Sequence, residues 1–207
     1  MKSFKKFIKE GRTNKIDKSE TLSSIQFTDY ADYNENEGNP PFKLEKHPDS
    51  VTDEHHIYTQ NYTDYNKKPM RKHLWVNKKT GTVDLSFSAN VNNKGKDTVY
   101  SNIDLIGTGR KGIAHHAYYD LMRRGVVLSH SNQSQGAVKV SRKVRKTYPD
   151  VVAHVYDPEK KEATHYTHGI LVNPTKESKY KGKGLYRAVE RRKYVQFLPD
   201  SKRIKSS

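Results

Sequence analysis

The feature that most constrains the fold of this chain is a strand that runs through a glycine-rich loop into a helix. Residues 99–106 are rich in the β-branched and aromatic side chains that strands favour. Residues 107–112 contain three glycines, which interrupt the strand. The helix that follows has an apolar stripe formed by Ile113, Ala117, Leu121 and Met122. Gly125 marks its end, because glycine is common just beyond helix C-termini.

The elements around this unit predict an α+β domain at residues 67–175. Upstream, apolar strands at 73–76 and 83–88 flank a turn that contains Gly81, which is the pattern of a β-hairpin. Downstream, the sequence predicts a buried strand at residues 126–129 and a basic helix at 134–146. A pair of strands at 151–156 and 163–168 follows, and then a closing strand at 194–198.

The loop at residues 107–112 has the properties of a phosphate site. The first N–H groups of a helix have no partner within the helix, and the positive end of the helix dipole lies beside them. Glycines let the backbone approach an anion closely. Arg110 and Lys111 add two cations at the same place. The loop therefore predicts a site for a pyrophosphate group.

Residues 109–114, Gly-Arg-Lys-Gly-Ile-Ala, resemble the acyl-coenzyme A loop of the GNAT-type N-acetyltransferase superfamily, (Gln/Arg)-x-x-Gly-x-(Gly/Ala). The strand at 126–129 and Asn132 are similar to the fifth strand of that family and its asparagine. The resemblance covers residues 99–156. It implies an α+β fold with a GNAT-like mixed central sheet flanked by helices, in which two neighbouring strands splay apart.

The same resemblance implies a ligand and a reaction. The ligand would be acetyl-coenzyme A (acetyl-CoA), and its acetyl group would pass to a primary amine by direct attack. The pantetheine arm would hydrogen-bond the strand near residues 105 and 106, and the pyrophosphate would take the amides of residues 111–114. The residues implied in binding are Leu105, Ile106, Arg110, Lys111, Gly112, Ile113, Ala114 and Asn132.

Two positions depart from the family pattern, and the general base is open. Gly109 stands where the family has Gln or Arg, although Arg110 follows it. Ser141 stands where many members have a Tyr that protonates the departing thiolate; a Ser hydroxyl is a much weaker acid than a phenol, so Ser141 is not expected to fill that role. Asp104 and His130 are candidate bases. Each also fits a structural role, Asp104 on a solvent-facing strand surface and His130 in a hydrogen-bonded loop.

Charge is unevenly distributed along the chain. Residues 1–66 carry 9 Lys/Arg and 12 Asp/Glu, a net charge of −3, whereas residues 67–207 carry 30 and 11, a net charge of +19. A body this basic attracts DNA, RNA or an anionic membrane surface, because neutralising a polyanion releases its counterions. The tail at 176–207 holds the expected nucleic-acid contacts Lys179, Lys181, Lys183, Arg187, Arg191, Arg192 and Lys193.

Residues 1–10 have the character of a targeting peptide. They resemble the capsid-targeting peptide of internal head proteins in T-even-like bacteriophages, which the prohead protease cuts after the Glu of an (Ile/Leu)-x-Glu triplet. Ile8 and Glu10 supply that triplet here, and the cut would precede Gly11. The resemblance implies the capsid scaffold and the prohead protease as partners, with the capsid interior as the location after assembly in the host cytoplasm. An ordinary basic amphipathic helix is the alternative.

Residues 11–66 are rich in Asn, Asp, Ser, Thr and Tyr and show no sustained period. This pattern predicts a polar, mostly irregular and flexible arm, with one strand near residues 24–29. No apolar run approaches the roughly 20 residues of a membrane helix, so no span is predicted. The histidine pairs lack a third ligand, so no metal site is predicted either.

Taken together, these features predict a phage virion protein with an acetyltransferase-like domain, and packaged phage DNA or another polyanion as its partner. The alternative is a non-catalytic structural protein of the head that keeps a GNAT-like fold and binds DNA through its basic surface.

Overall fold

The computed structural model describes residues 25–45, 52–94, 97–107, 112–130, 132–157, 159–160, 162–165, 172–174, 185–187 and 194–199. The helices in these ranges are α1 (Phe27–Asn36), α2 (Ile113–Arg123) and α3 (Gln135–Thr147). The strands are β1 (Lys43–Leu44), β2 (His55–Thr63), β3 (Pro69–Asn77), β4 (Val83–Lys94), β5 (Asp97–Gly107), β6 (Val126–His130), β7 (Asn132–Ser134), β8 (Val151–Asp157), β9 (Glu162–His165), β10 (Val172–Pro174), β11 (Leu185–Arg187) and β12 (Tyr194–Pro199).

Nine of these strands form one mixed sheet in the order β1-β2-β3-β4-β5-β6-β12-β8-β9. Its neighbouring strands are antiparallel except β5 and β6, which are parallel and are connected through α2. A parallel pair needs a crossover connection, and a helix packed on the sheet is the usual one. Strands β7, β10 and β11 form a second sheet. The prediction of an α+β fold with a mixed sheet is confirmed.

The main core lies between one face of the large sheet and helices α2 and α3. Along β4, Leu85, Phe87 and Ala89 occupy alternate positions and are fully buried, as expected for a strand with one face under a helix layer. Burying a side chain of the size of Leu or Phe stabilises the fold by about 1.5–3 kcal/mol. The helices contribute Ile113, Ala117, Leu121 and Met122 from α2, and Val144 from α3.

The opposite face of the sheet is covered by α1 and the segment after it. Phe27 stacks on Tyr58 of β2 with ring centroids 4.0 Å apart. Tyr30 packs against Phe42, with centroids 5.8 Å apart. These rings cover the apolar residues Leu74, Val76 and Val83 of β3 and β4.

The prediction of a mostly irregular arm over residues 11–66 is wrong for the described part of that segment. β2 pairs with β3 along its whole length, so the predicted domain boundary after residue 66 falls in the turn between two paired strands. Two of the buried residues of β2 are His55 and Gln60. Because these residues are polar, the alternation that indicates a strand was hidden in the sequence.

The strand expected near residues 24–29 is also wrong. Gln26 forms a single bridge to Thr82, and α1 begins at the next residue. The residues that α1 buries are Tyr30 and Asn34, which lie four positions apart and therefore on one helical face. A tyrosine and an asparagine gave no apolar period by which the helix could be recognised.

The other predicted elements of the body are confirmed, with shifted ends. Gly81 in the β3–β4 turn and Gly125 beyond α2 have φ values of +70° and +80°, which glycine adopts without strain. The closing strand is confirmed as β12, which lies between β6 and β8. The large sheet therefore includes residues on both sides of the predicted limits at 67 and 175. Among the described helices, none has the length and apolar character that a membrane crossing requires.

Candidate functional site

Strands β5 and β6 pair over a short stretch and then separate. Their aligned residues run from Thr98 with Val126 to Tyr100 with Leu128. β5 continues to Gly107, and over that length it stays paired with β4 on its other edge. The edge of β5 that faces β6 therefore has no partner among the described strands beyond Tyr100, and a gap opens between the two parallel strands.

A β-bulge in β5 accounts for the separation. Asp104 aligns with Ser88 of β4, and Ser101 aligns with Asn90, so residues 102–103 of β5 together face one residue of β4. An extra residue bends its strand and increases the local twist. The bulge lies just beyond Tyr100, the last residue that is paired with β6, so the bend falls where the pairing ends.

The strand beyond the bulge offers backbone groups to the gap. Leu105 aligns with Phe87 and Ile106 with Ser86, so this part of β5 is extended and held by β4. Because backbone groups of successive strand residues point to opposite edges, about half of them face away from β4. A strand edge of this kind binds an extended chain that carries amide groups of its own.

Tyr118 of α2 lies beneath the separating strands. Its ring contacts Phe87 of β4, with centroids 6.1 Å apart, and it stacks on His130 of β6, also at 6.1 Å. His130 in turn makes an edge contact with Phe197 of β12. One aromatic side chain thus spans from β4 to β6 under β5, and His130 lies at the β6 side of the gap.

His130 is held as a neutral base. Burial lowers its pKa from 6.5 to about 4, because the charged form is poorly solvated there. Its Nε2 atom is buried and has no hydrogen-bond partner among the described residues. A neutral imidazole can accept a proton from a group placed beside it. His130 is the last residue of β6 and not part of a loop.

Helix α2 begins after the glycine-rich segment that follows β5 in the sequence. Its N-cap residue is Gly112, whose φ of 110° is a backbone conformation that other residues rarely adopt. No described side chain caps the helix, and its first turn contains no acid. The described residues therefore leave the first N–H groups of α2 available to an anion.

The ammonium group of Lys143 lies next to the N-terminus of α2. The Nζ atom of Lys143, on α3, lies 3.7 Å from the position that a Cβ atom would have on Gly112. The two histidines of the first turn both have a pKa below the ordinary value of 6.5. Burial lowers the pKa of His115 to about 4, with further lowering by His116 and Lys143, and burial also lowers the pKa of His116. His116 is hydrogen-bonded to the hydroxyl of Tyr148.

The predicted site residues are distributed as follows. Leu105, Ile106, Gly112, Ile113 and Ala114 belong to β5 or to the start of α2, and Asp104 lies on β5 opposite Ser88. Asn132 is the first residue of β7 and aligns with Arg187 of β11, so it belongs to the small sheet. The predicted residues outside the described ranges are Ile8, Glu10, Gly11, Arg110, Lys111, Lys179, Lys181, Lys183, Arg191, Arg192 and Lys193.

Ser141 is occupied within its own helix. Its hydroxyl donates a hydrogen bond of 2.9 Å to the carbonyl of Ala137, and the side chain is buried. This bond to the residue one turn earlier is a common way for a serine to satisfy its hydroxyl in a helix. The hydroxyl proton of Ser141 is therefore engaged within α3.

Two residues of the site were missed from the sequence. Tyr118 could have been found, because it precedes Leu121 and Met122 by three and four positions and so extends their stripe on α2. Lys143 could not, because its position beside Gly112 depends on how α3 packs against α2. Only the packing of α3 against α2 brings Lys143 close to Gly112.

The described part of the chain contains no cluster of three or more His, Asp or Glu that could hold a metal ion. Comparisons with family models, with curated proteins and with solved structures find no match to this chain.

Proposed function

We propose that this chain is an acetyltransferase-like protein of the GNAT type that binds acetyl-CoA in the gap between β5 and β6. One observation carries the proposal: the only parallel strand pair among the described strands stops pairing just before a bulge in β5, and the chain that leaves β5 later enters α2 at Gly112, which has no side chain to cap the helix. A strand edge for amide groups and a helix end for phosphates therefore follow each other along the chain. Acetyl-CoA contains these two kinds of group in succession.

Each part of the ligand has a partner in the site. The two amides of the pantetheine arm would hydrogen-bond the backbone of β5 around Leu105 and Ile106. The pyrophosphate would take the first amides of α2, from Gly112 to Ala114, and the charge of Lys143. An anion at a helix N-terminus gains about 0.3–1 kcal/mol from the dipole, and up to about 2 kcal/mol in partly buried sites.

The bound thioester supplies an activated acetyl group, and the chain must then manage protons. As a primary amine attacks the thioester carbonyl, a C–N bond forms, the C–S bond breaks, and the amine loses a proton. His130 is a candidate acceptor because its ring lies at the end of β6 and stacks on Tyr118. Asp104, on β5, is the other candidate. The described residues offer no evident acid for the thiolate, which is a good leaving group without one.

Calorimetric titration with acetyl-CoA tests the binding step. The wild type should bind, and Lys143→Gln should weaken binding by about threefold to tenfold, since it removes one charge from the pyrophosphate site. Lys139→Gln is the matched control, because it removes the same charge from the same helix, one turn before Lys143. No heat and no thermal shift with millimolar acetyl-CoA would overturn the proposal.

His130→Gln tests the catalytic step separately. The variant should bind acetyl-CoA as the wild type does and lose acetylation of small primary amines, measured by release of the free thiol. Binding of acetyl-CoA by the wild type without any thiol release above the uncatalysed rate would favour the alternative, a non-catalytic head protein on the same fold.

The location in the capsid interior is part of the proposal and is supported by the sequence of residues 1–10. Mass spectrometry of purified virions should find the chain beginning at Gly11. Glu10→Ala should leave the N-terminal peptide attached, because the triplet that the protease cuts is then incomplete. Full-length chain in wild-type virions would refute the processing site.

A further inference from the structure

Helix α3 presents a row of cations to solvent. Four of its five cations are exposed and share one face: Lys139, Arg142, Lys143 and Lys146. Their spacing of i, i+3, i+4 and i+7 places them within an arc of about 100° around the helix axis. The opposite face is buried against the sheet through Val138, Ser141 and Val144. These four side chains are termed the cation row.

The cation row has no counter-charge on its own helix. α3 contains no Asp or Glu, and within the described ranges no ion pair involves any member of the row. The nearest acid along the chain, Asp150, accepts a hydrogen bond from Tyr119. Two pairs in the row, at positions 139 with 143 and 142 with 146, are like charges one turn apart, which destabilise a helix. A helix with this repulsion and no internal counter-charge is suited to an external polyanion.

The surroundings of the row select the kind of polyanion. A helix that binds membranes needs exposed apolar side chains beside its cations, and surfaces that bind single strands use exposed aromatic rings. The large apolar residues exposed in the described part of the chain are Leu44 and Tyr65, and neither belongs to α3. A row of charges without an exposed large apolar or aromatic side chain on its own helix fits the phosphates of a duplex, whose bases are stacked inside.

The dimensions of the row also fit a duplex. From Lys139 to Lys146 the helix rises by about 10 Å. Double-stranded DNA carries one charge for each 1.7 Å of its axis, roughly, so several phosphates lie within reach of the row. Three of the four cations are lysines, which act as compact point charges and suit phosphates more than base edges.

We propose that the cation row of α3 binds the phosphate backbone of a double-stranded nucleic acid without reading its sequence. This surface differs from the basic tail at residues 176–207, which the charge distribution alone suggested. The proposal does not depend on acetyl-CoA binding. Lys143 serves both proposals, so it is left unchanged in the test.

The test compares two variants of the full-length protein. In the row variant, Lys139→Gln, Arg142→Gln and Lys146→Gln are combined; glutamine keeps the helix propensity. In the control variant, Lys68→Gln, Lys78→Gln and Lys79→Gln remove the same charge from exposed positions in two turns. Binding to a fluorescent DNA duplex of scrambled sequence is measured by anisotropy over a series of salt concentrations.

The expected result is a change in salt dependence that is specific to the row. Each phosphate contact contributes about −0.9 to the log–log slope, so the row variant should lose up to about 2.7 from the magnitude of that slope. The control variant should keep the slope of the wild type. The unfolding midpoint of the row variant should equal or exceed that of the wild type, because two like-charge pairs are relieved.

Three outcomes would overturn the proposal. One is an equal change of slope in both variants, because net charge alone would then explain binding. Another is an unchanged slope in the row variant, which would assign the contacts to other basic segments. The third is binding of vesicles of phosphatidylcholine and phosphatidylserine, lost in the row variant, while the duplex stays unbound.

Discussion

At the scale of single residues, two buried histidines, His73 and His130, have a strongly lowered pKa. His73 is completely buried, and burial lowers its pKa to about 3, with a smaller contribution from the charge of Arg71. Its Nε2 lies 3.0 Å from the hydroxyl of Tyr100. His130 has its pKa lowered to about 4 by burial alone. Both side chains are tolerated inside the fold because an uncharged imidazole needs far less solvation than an imidazolium.

These histidines predict a loss of stability in mild acid. Their folded pKa lies below the ordinary value of 6.5, so between about pH 6.5 and 4 the unfolded chain binds protons that the folded chain does not. The contribution is fully present above pH 6.5 and falls as the pH drops, by about 1.4 kcal/mol per pH unit for each group. Urea unfolding at a series of pH values measures the slope.

His130→Gln isolates one of these groups. The variant should flatten the decline between about pH 6.5 and 4, because glutamine takes up no proton. The control is His56→Gln, which removes an exposed imidazole from β2. If both variants flattened the decline in stability to the same extent, the burial of His130 would not explain the effect.

At the scale of elements, α1 covers the face of the sheet that α2 and α3 leave open. Tyr30 is its most deeply packed aromatic side chain, and its hydroxyl accepts a hydrogen bond of 3.0 Å from Lys72 on β3. The ring also lies under the Lys72 ammonium, 5.5 Å from its centroid. A helix of ten residues is marginal alone, so its position depends on such contacts.

Tyr30→Ala should therefore lower the free energy of unfolding by about 2–4 kcal/mol, the cost of a cavity at a packed aromatic position. Tyr65→Ala is the matched control, since the Tyr65 side chain is 92 % exposed and its loss should change stability by less than about 0.5 kcal/mol. Chemical denaturation followed by circular dichroism gives both values. Equal small effects would mean that α1 contributes little to stability.

At the scale of the whole molecule, β12 joins the two halves of the large sheet. It pairs with β6 on one edge and along its whole length with β8 on the other. Phe197 reaches the main core and Leu198 the opposite face. The order of the sheet places β12 between β6 and β8. If β12 were removed, no strand would connect β8 and β9 to β6.

A chain that ends after residue 193 should therefore lose its cooperative thermal transition. The edges of β6 and β8 would be left unpaired, and the core residues over them would be exposed to water. Adding a peptide of residues 194–207 should restore the transition, because the strand can pair without a covalent link. A truncated chain that melted at the midpoint of the full chain would contradict this role of β12.

The sequence by itself determined the elements of the body and the order in which they occur. The glycine loop, the apolar stripe of α2, the hairpin β3–β4 and the closing strand were all recognised, because each depends on local periodicity or on a glycine with positive φ. Helix α1 and strand β2 were not, because they bury tyrosine, histidine, asparagine and glutamine, whose polar groups hide the period. Local pattern predicts an element only where its buried side chains are apolar.

Tertiary structure decided what the sequence pattern could not. The bulge in β5 is defined by its alignment with β4, and the gap that follows is defined by the loss of pairing with β6. Lys143 reaches Gly112 only because α3 packs beside α2, thirty-one positions later in the chain. Such sites arise from contacts between distant segments, and the energy that fixes them is the packing of the whole sheet rather than any local preference.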